Sequence, residues 1–222
     1  MRVFGGPEFL FLLEALRWTL LLSAVAFLGG GAAGLLVALL RISPFRPLRI
    51  AASAYVQLFQ GTPVLMQLFI AYYGVAVLFD LRIERWSAVA LTFSLYAAAF
   101  LGDIWRGCVE AVPRTQWEAA ECLCLSYPAQ LVYVILPQAA RIAIPPTVGF
   151  LVQLVKGTSI GSIIGFVELT RAGQLMTNVT FQPMIIYPIV AVLYFMICWP
   201  LSYLSQLLER RLDATRGLAQ GL

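Results

Sequence analysis

The chain has no histidine. That removes the side chain most often used as a general base near neutral pH, and the commonest imidazole metal ligand. Charge is scarce too. Only 12% of the 222 residues are Asp, Glu, Lys or Arg, against roughly 25% in soluble proteins. The four cysteines, Cys108, Cys122, Cys124 and Cys198, include one C-x-C pair, but neither a histidine nor a second pair completes a metal set. They read as small apolar residues, and no metal or cofactor is expected on this chain. No G-x-x-x-x-G-K-[ST] run is present to cradle nucleotide phosphates. The net charge of +4 is scattered rather than clustered, so it points away from nucleic acid and towards the charge asymmetry of a membrane protein. A membrane enzyme would lack its usual acid–base groups.

Hydrophobicity is what the chain has in abundance: 61% of residues are apolar and the mean hydropathy is +0.86. A bilayer core needs about 20 apolar residues per helix. Trp18 to Leu40 carries no charge and fits one span; it is read as retained, not as a removable leader. Ile50 to Phe79 is also uncharged but long, and Gly61-Thr62-Pro63 divides it into a short helix and a span. Trp86 to Gly102 is a third span. Ile142 to Val155 and Gly157 to Val167, split by Lys156, make a broken fourth. Ala172 to Leu208 is uncharged, and its part from about Met184 onward reads as the fifth. The expected fold is all-α, one membrane domain over residues 1–222 with about five transmembrane helices.

Arginine sets the orientation. Arg41, Arg46, Arg49, Arg106, Arg114, Arg141, Arg210, Arg211 and Arg216 fall on one side. Arg2, Arg17, Arg82, Arg85 and Arg171 fall on the other, beside Glu8, Glu14, Asp80, Glu84 and Glu168. The positive-inside rule then places the N-terminus outside and the C-terminus in the cytoplasm. At 24.5 kDa, with no internal repeat, the bundle is small for a complete transporter, so a second subunit is expected.

The polar segment of about residues 110–137, between spans three and four, is the most informative. Thr115 followed by Glu118 reads as a capping box that opens a short helix. Ser126 reads as the cap of a second short helix, with Pro128 in its first turn and Pro137 ending or kinking it. Pro145-Pro146 is read as marking the entry to span four. Two readings stand on these residues alone: a solvated helix pair, or a rigid elbow that passes force from a soluble partner to the spans.

Glu118-Ala119-Ala120, with Ile135-Leu136-Pro137 further on, resembles the E-A-A loop of ATP-binding-cassette importer permeases. Gly61-Thr62-Pro63 with Gln67-Leu68-Phe69, Arg106-Gly107 before Val109 to Pro113, Ile135 to Ala139, Lys156 to Ser159, and Glu168-Leu169 are all similar to the polar amino-acid branch of that family. The resemblance runs from roughly Leu16 to Leu208. It implies a type I importer permease in a bacterial cytoplasmic (inner) membrane, without catalysis of its own. It also implies two permeases, two ATPase subunits carrying ATP and Mg, and an external solute-binding protein. Gln116, Glu118, Ala119, Ala120 and Cys124 would then couple to the ATPase. The cargo would be an amino acid or a related small polar solute. This chain has Gln60 where the family usually has Arg, Thr115 and Cys124 where it has Gly, and Gly157 where it has Asp. Cys124 puts the usual left-handed turn of the loop in question. These departures point to a non-identical second permease.

Several polar residues lie in apolar surroundings. Lys156 is either buried by an ion pair or backbone carbonyls, or lines a pathway. Gln57, Gln60, Gln67 and Gln153 either bond neighbouring helices or face the solute. Gln60, Gly61 and Thr62 abut a helix break, which frees backbone groups that can hold a ligand. Thr158 and Ser159 follow Lys156 and share its expectation. Gly29, Gly30, Gly31 and Gly34 are expected to allow close helix packing. The alternative function is a stand-alone ion-coupled carrier, poorly served by Asp103, the one acid near a span.

Overall fold

The computed structural model describes residues 5–220, with side chains through residue 212. Among them every regular element is helical. The long helices are α1 (Gly6–Ile42), α5 (Arg85–Glu110), α8 (Leu136–Gly157) and α10 (Pro183–Gln220). Shorter pieces are α2 (Arg46–Gly61), α3 (Val64–Phe69), α4 (Val75–Phe79), α6 (Arg114–Cys122), α7 (Tyr127–Ala129) and α9 (Leu169–Thr180). A π-helical stretch, Ile70–Gly74, joins α3 to α4. Another, Gln130–Ile135, joins α7 to α8, and a 3₁₀ stretch, Thr158–Ile164, follows α8.

By length and composition four helices can cross a membrane: Gly6–Ile42, Arg85–Glu110, Tyr127–Ile164 and Pro183–Leu212. Arg46–Gly61 and Val64–Phe79 form a fifth, bent by 101° at the Gly-Thr-Pro break. The expected all-α bundle of about five spans is therefore present. Span two is divided at Gly61-Thr62-Pro63 as expected, and span four differs from expectation in shape. Span four is one continuous helix from Tyr127, so Ser126 and Pro128 open the span itself rather than a separate short helix. Pro137 does not end it. The π stretch immediately before Pro137 carries the helix past a residue that has no N–H to donate. Pro145 and Pro146 also lie inside the helix, and Ser205 of α10 donates to the Pro145 carbonyl at 2.8 Å.

The α1–α5 pair is the spine. Ala26, Gly30, Gly34 and Ala38 recur every four residues along one buried stripe of α1. A Cβ on Gly30 would lie 2.4 Å from the Ala97 Cβ, and one on Gly102 would lie 2.7 Å from Val37 Cγ1. Only glycine lets the two backbones approach this closely, which matches the expectation of close packing. Around this spine Leu22, Leu68, Phe93, Leu101, Phe150 and Leu154 form the largest apolar core. A second core joins α1 to α9 and α10 through Leu12, Leu169, Ala172 and Ile186.

Candidate functional site: the elbow, the helix break and the Lys156 groove

The elbow begins where α5 ends. Pro113, not Thr115, occupies the N-cap of α6, and no side chain caps it. The capping box read from Thr115 and Glu118 is absent because the helix starts two residues earlier and places Thr115 inside its first turn. The helix closes with Leu125 N–H donating to the Ala120 carbonyl (3.3 Å) and Cys124 N–H to the Glu121 carbonyl (2.8 Å). That is a Schellman closure, which requires a left-handed residue at the position of Cys124. Cys124 adopts it, with φ 55°. The turn questioned on sequence grounds is therefore kept, at the expense of a Cβ in an unfavourable region.

The chain's own contacts brace the elbow. Gln138 donates to Gln116 at 3.2 Å, Trp117 stacks on Tyr127 with centroids 6.3 Å apart, and Tyr127 donates to the Ile42 carbonyl at 2.9 Å. Val109, Val112, Ile135 and Ala139 fill the space beneath. Glu118, Ala119 and Cys124 face outward, but Ala120 is only 2% exposed. Its side chain packs within this chain, so the expectation that it meets a partner is corrected. Only α6 and its turn stand apart from the spans, which narrows the elbow from about residues 110–137 to the segment between Glu110 and Tyr127.

At the break, Thr62 donates to the Leu58 carbonyl at 2.7 Å. Gln67 Nε2 lies within 3.1 Å of the carbonyls of Phe59 and Thr62 and of the Thr62 hydroxyl. Gln67 thus takes the carbonyls of Phe59 and Thr62, and Thr62 that of Leu58. Gln60 reaches Asp103 on α5, which is also paired with Arg41 of α1 and Arg106. Sequence reading missed this carboxylate as a tie between three helices, because nothing in the spacing of residues 41, 60 and 103 announces it. Gln67 Oε1 and Arg41 Nε are buried without hydrogen-bond partners. Gln57 and Gly61 are exposed on α2.

Lys156 is exposed and forms no ion pair among the described residues. It lines a groove of about 340 Å³ with Ser159, Thr170, Tyr187, Val190, Ala191 and Tyr194. Ser159 donates to the Lys156 carbonyl at 2.8 Å. Gln153, one turn earlier, is exposed on the same side of α8. Thr158 is not part of this surface: it is fully buried and donates to the Val155 carbonyl at 2.7 Å. Gly157 faces the Phe93 ring, 3.3 Å from where a Cβ would stand, so a larger residue there would press on the core.

Behind the groove lies Glu168, whose side chain is wholly buried. It caps α9 by accepting from the N–H groups of Thr170 (2.7 Å) and Arg171 (2.8 Å), and it accepts from the Tyr194 hydroxyl at 2.8 Å. Thr19 of α1 accepts from Leu169 N–H at 3.1 Å. Burial pushes the Glu168 carboxyl above the ordinary carboxylate range, against the hydrogen bonds from Thr170, Arg171 and Tyr194 that favour its ionised form. Glu168 thus fixes α9 and holds Tyr194 in the groove wall. A buried glutamate in the loop between spans four and five has no local sequence signature that marks it as a tie.

A five-span bundle with a braced elbow on one side and polar groups along one face defines a class: a membrane-embedded subunit of the transporter kind. The comparisons make this particular. Residues 30–214 match the family described as binding-protein-dependent transport system inner membrane component, and the chain belongs to that family. It is 37% identical to the L-cystine transport system permease protein TcyB of Bacillus subtilis (strain 168), over 88% of this chain and 84% of the relative. It is 31% identical to the putative glutamine transport system permease protein GlnP of Rickettsia bellii (strain RML369-C), over 93% of this chain and 95% of the relative. A crystal structure of an amino acid ABC transporter with histidines contains a chain that superposes with a TM-score of 0.86 at 32% identity, covering 90% of this chain and 94% of that one. A chain of the inward-facing MetNI methionine ABC transporter shares the fold, with a TM-score of 0.75 at 20% identity. The chain is an inner-membrane permease subunit of an ATP-binding-cassette importer. The stand-alone carrier is not favoured, and Asp103, the acid that would serve it, is tied to Arg41.

Proposed function

We propose that the solute carried is an amino acid, and that this subunit supplies one wall of its pathway. The observation that carries the reading is the Lys156 groove, an unpaired ammonium among hydroxyl groups in an otherwise apolar span. Relatives named for cystine, glutamine and arginine transport support the substrate class. Gln153 and Ser159 extend the same polar face; Gln57, Gln60, Gly61 and Thr62 belong to the break on the second span.

The N-terminus lies outside and the C-terminus in the cytoplasm, as the arginine distribution favours. The exposed surface of α6, with Glu118 and Ala119, and the Cys124 turn dock on an ATPase subunit. Two such subunits hold ATP and Mg, and an external solute-binding protein delivers the cargo. The second permease is non-identical. Gln60 and Gly157, which depart from the family beside the pathway, support that reading.

The test is reconstitution with the ATPase subunits and the binding protein in vesicles, screening labelled amino acids for ATP-dependent uptake. Uptake of an amino acid that needs all components is expected. Transport driven by an ion gradient without ATP would overturn the reading. A purified active complex that contains this permease alone would remove the non-identical partner.

A further inference from the structure

The Lys156 groove carries three hydroxyls, those of Ser159, Thr170 and Tyr194, whose hydrogen-bond partners are all defined. A hydroxyl has one proton to give and lone pairs to receive with. Ser159 spends its proton on the Lys156 carbonyl at 2.8 Å. Tyr194 spends its proton on Oε2 of Glu168, also at 2.8 Å. The Thr170 and Tyr194 oxygens stand 3.0 Å apart. Because the Tyr194 proton is already committed, Thr170 is the donor of that pair. All three protons therefore go to acceptors within the chain, and these hydroxyls keep only lone pairs for the groove.

The direction of the chain is fixed from behind. Glu168 is wholly buried, and its two oxygens receive the N–H groups of Thr170 and Arg171. A carboxylate there only accepts. Turning the Tyr194 proton towards the groove would leave a buried acceptor one bond short, which is costly. Lys156 is the opposite case: it has three donors and no acceptor, and it forms no ion pair among the described residues. Donors thus stand on α8 and acceptor-only oxygens on α9 and α10, with Ser159 just past the end of α8. An anion would meet lone pairs beyond Lys156, and a cation would meet the ammonium. A zwitterion meets a partner for each end. The groove of about 340 Å³ suits a small solute, at the lower end of the roughly 300–1,000 Å³ of ligand pockets.

We propose that Ser159, Thr170 and Tyr194 form an acceptor subsite for the α-ammonium of the cargo, held in that polarity by Glu168, while Lys156 takes the carboxylate. The assignment rests on the amino-acid reading above and deepens it: this groove reads the head group common to amino acids and not the side chain. Glu168 is a positioning residue. It does not touch the cargo, but it decides which way the wall hydroxyls point.

Binding is measured on the complex with its ATPase subunits in nanodiscs, without nucleotide and without the binding protein, so that no other component reads the amine. The probes are radiolabelled L-cystine, L-glutamine and L-arginine, each competed by its unlabelled deamino acid. The native complex should prefer the amino acid by about tenfold or more, the share of a charge-assisted hydrogen bond. Ser159→Ala and Thr170→Val, the second of which keeps the N–H that caps α9, should each cut that preference by about threefold, the share of one hydrogen bond. In Glu168→Gln the amide can donate to Tyr194 and reverse the chain. That variant should lose preference for the amine yet keep the preference for acid over carboxamide that belongs to Lys156. Equal losses for amino and deamino acid in Ser159→Ala and Thr170→Val would overturn the proposal, because the hydroxyls would then serve the wall and not the amine. A native complex that does not distinguish the two ligands would overturn it while the amino-acid reading stands. A native complex that binds none of the three probes also overturns it, since they share one head group, and the uptake screen then decides whether the amino-acid reading falls as well.

Discussion

Gln60 donates through Nε2 to Oδ2 of Asp103 across 3.5 Å, while the guanidinium of Arg41 takes Oδ1. One half-buried carboxylate therefore joins α1, α5 and the end of α2 just before the Gly-Thr-Pro break. Arg41 is the more buried cation, with a side chain 13% exposed, and Arg106 reaches the same oxygen at 3.4 Å. The position of the break depends on Asp103 keeping its partners.

Arg41→Gln should lower stability by about 1 kcal/mol, since the half-buried Asp103 keeps Arg106 and Gln60, and reduce uptake. Adding Gln60→Arg to that variant should restore much of both, because a guanidinium at position 60 approaches the same carboxylate from its other oxygen. Thermal melts and uptake of the two single variants and the double variant give the coupling between them. Strictly additive losses would show that residues 41 and 60 do not share Asp103.

Cys124→Gly should stabilise the elbow. A left-handed φ costs a residue with a Cβ roughly 1–2 kcal/mol, and glycine returns part of that in the unfolded chain. The net gain is about 0.5–1 kcal/mol. It should appear as a higher melting temperature of the purified complex, whereas β-branched Cys124→Val should lower it. A lower melting temperature for the glycine variant would mean that the thiol makes a contact worth more than the strain.

Ala119 and Ala120 are neighbours with opposite exposures, so tryptophan at each separates coupling from folding. Ala120→Trp must enter the packed space between α6 and the spans, and overpacking of this kind costs about 1–3 kcal/mol or more. Reduced yield of assembled protein is expected. Ala119→Trp should insert and fold normally but keep the ATPase subunit from seating, giving ATP-independent loss of uptake. Normal uptake by Ala119→Trp would remove α6 from the coupling surface.

The spans were legible from the sequence because uncharged runs of bilayer length admit few other structures. Of the α1 glycines expected to allow close packing, Gly29, Gly30 and Gly34 do meet α5 closely, whereas Gly31 has only an ordinary contact with Trp105. What was not legible depended on side chains far apart in sequence or on competing local rules. The Thr115–Glu118 pattern fits a capping box, yet Pro113 starts the helix first. Pro137, Pro145 and Pro146 are helix breakers in water, but here the helix runs on through all three, with a π stretch just before Pro137. Lys156 could be read only as paired or pathway-lining, and its exposure beside Ser159 and Tyr194 supports the second. Thr158, adjacent in sequence, turned inward.

Glu168 predicts a pH dependence. Its carboxyl is raised above the ordinary range by burial, so the folded protein holds the proton more tightly than the unfolded chain. The stability this contributes is fully present below the ordinary carboxylate range and is lost as pH rises through the raised value. Relative to Glu168→Gln, which cannot ionise, the native melting temperature should therefore fall as pH rises through that window. A difference that is flat, or that rises with pH, would show that the bonds from Thr170, Arg171 and Tyr194 outweigh burial.

Lys156 should act on the carboxylate of the cargo. An ammonium donates three hydrogen bonds and accepts none, so it suits a carboxylate and is unsuited to an amine. No acid among the described residues competes for it, and the hydroxyls of Tyr194 and Thr170 beside it bond to each other at 3.0 Å. Lys156→Met keeps the length and removes the charge. With a charge-assisted hydrogen bond contributing about 1.5–3 kcal/mol, the variant should raise the apparent KM for uptake by roughly tenfold or more, with normal expression and unchanged ATP hydrolysis in the absence of cargo. The decisive comparison uses the cargo's carboxamide. The native complex should transport it as poorly as Lys156→Met transports the acid, and the variant should lose nothing further on the amide. If the variant discriminates acid from amide as strongly as the native protein, Lys156 does not touch that carboxylate, and another cation in the assembled pathway does.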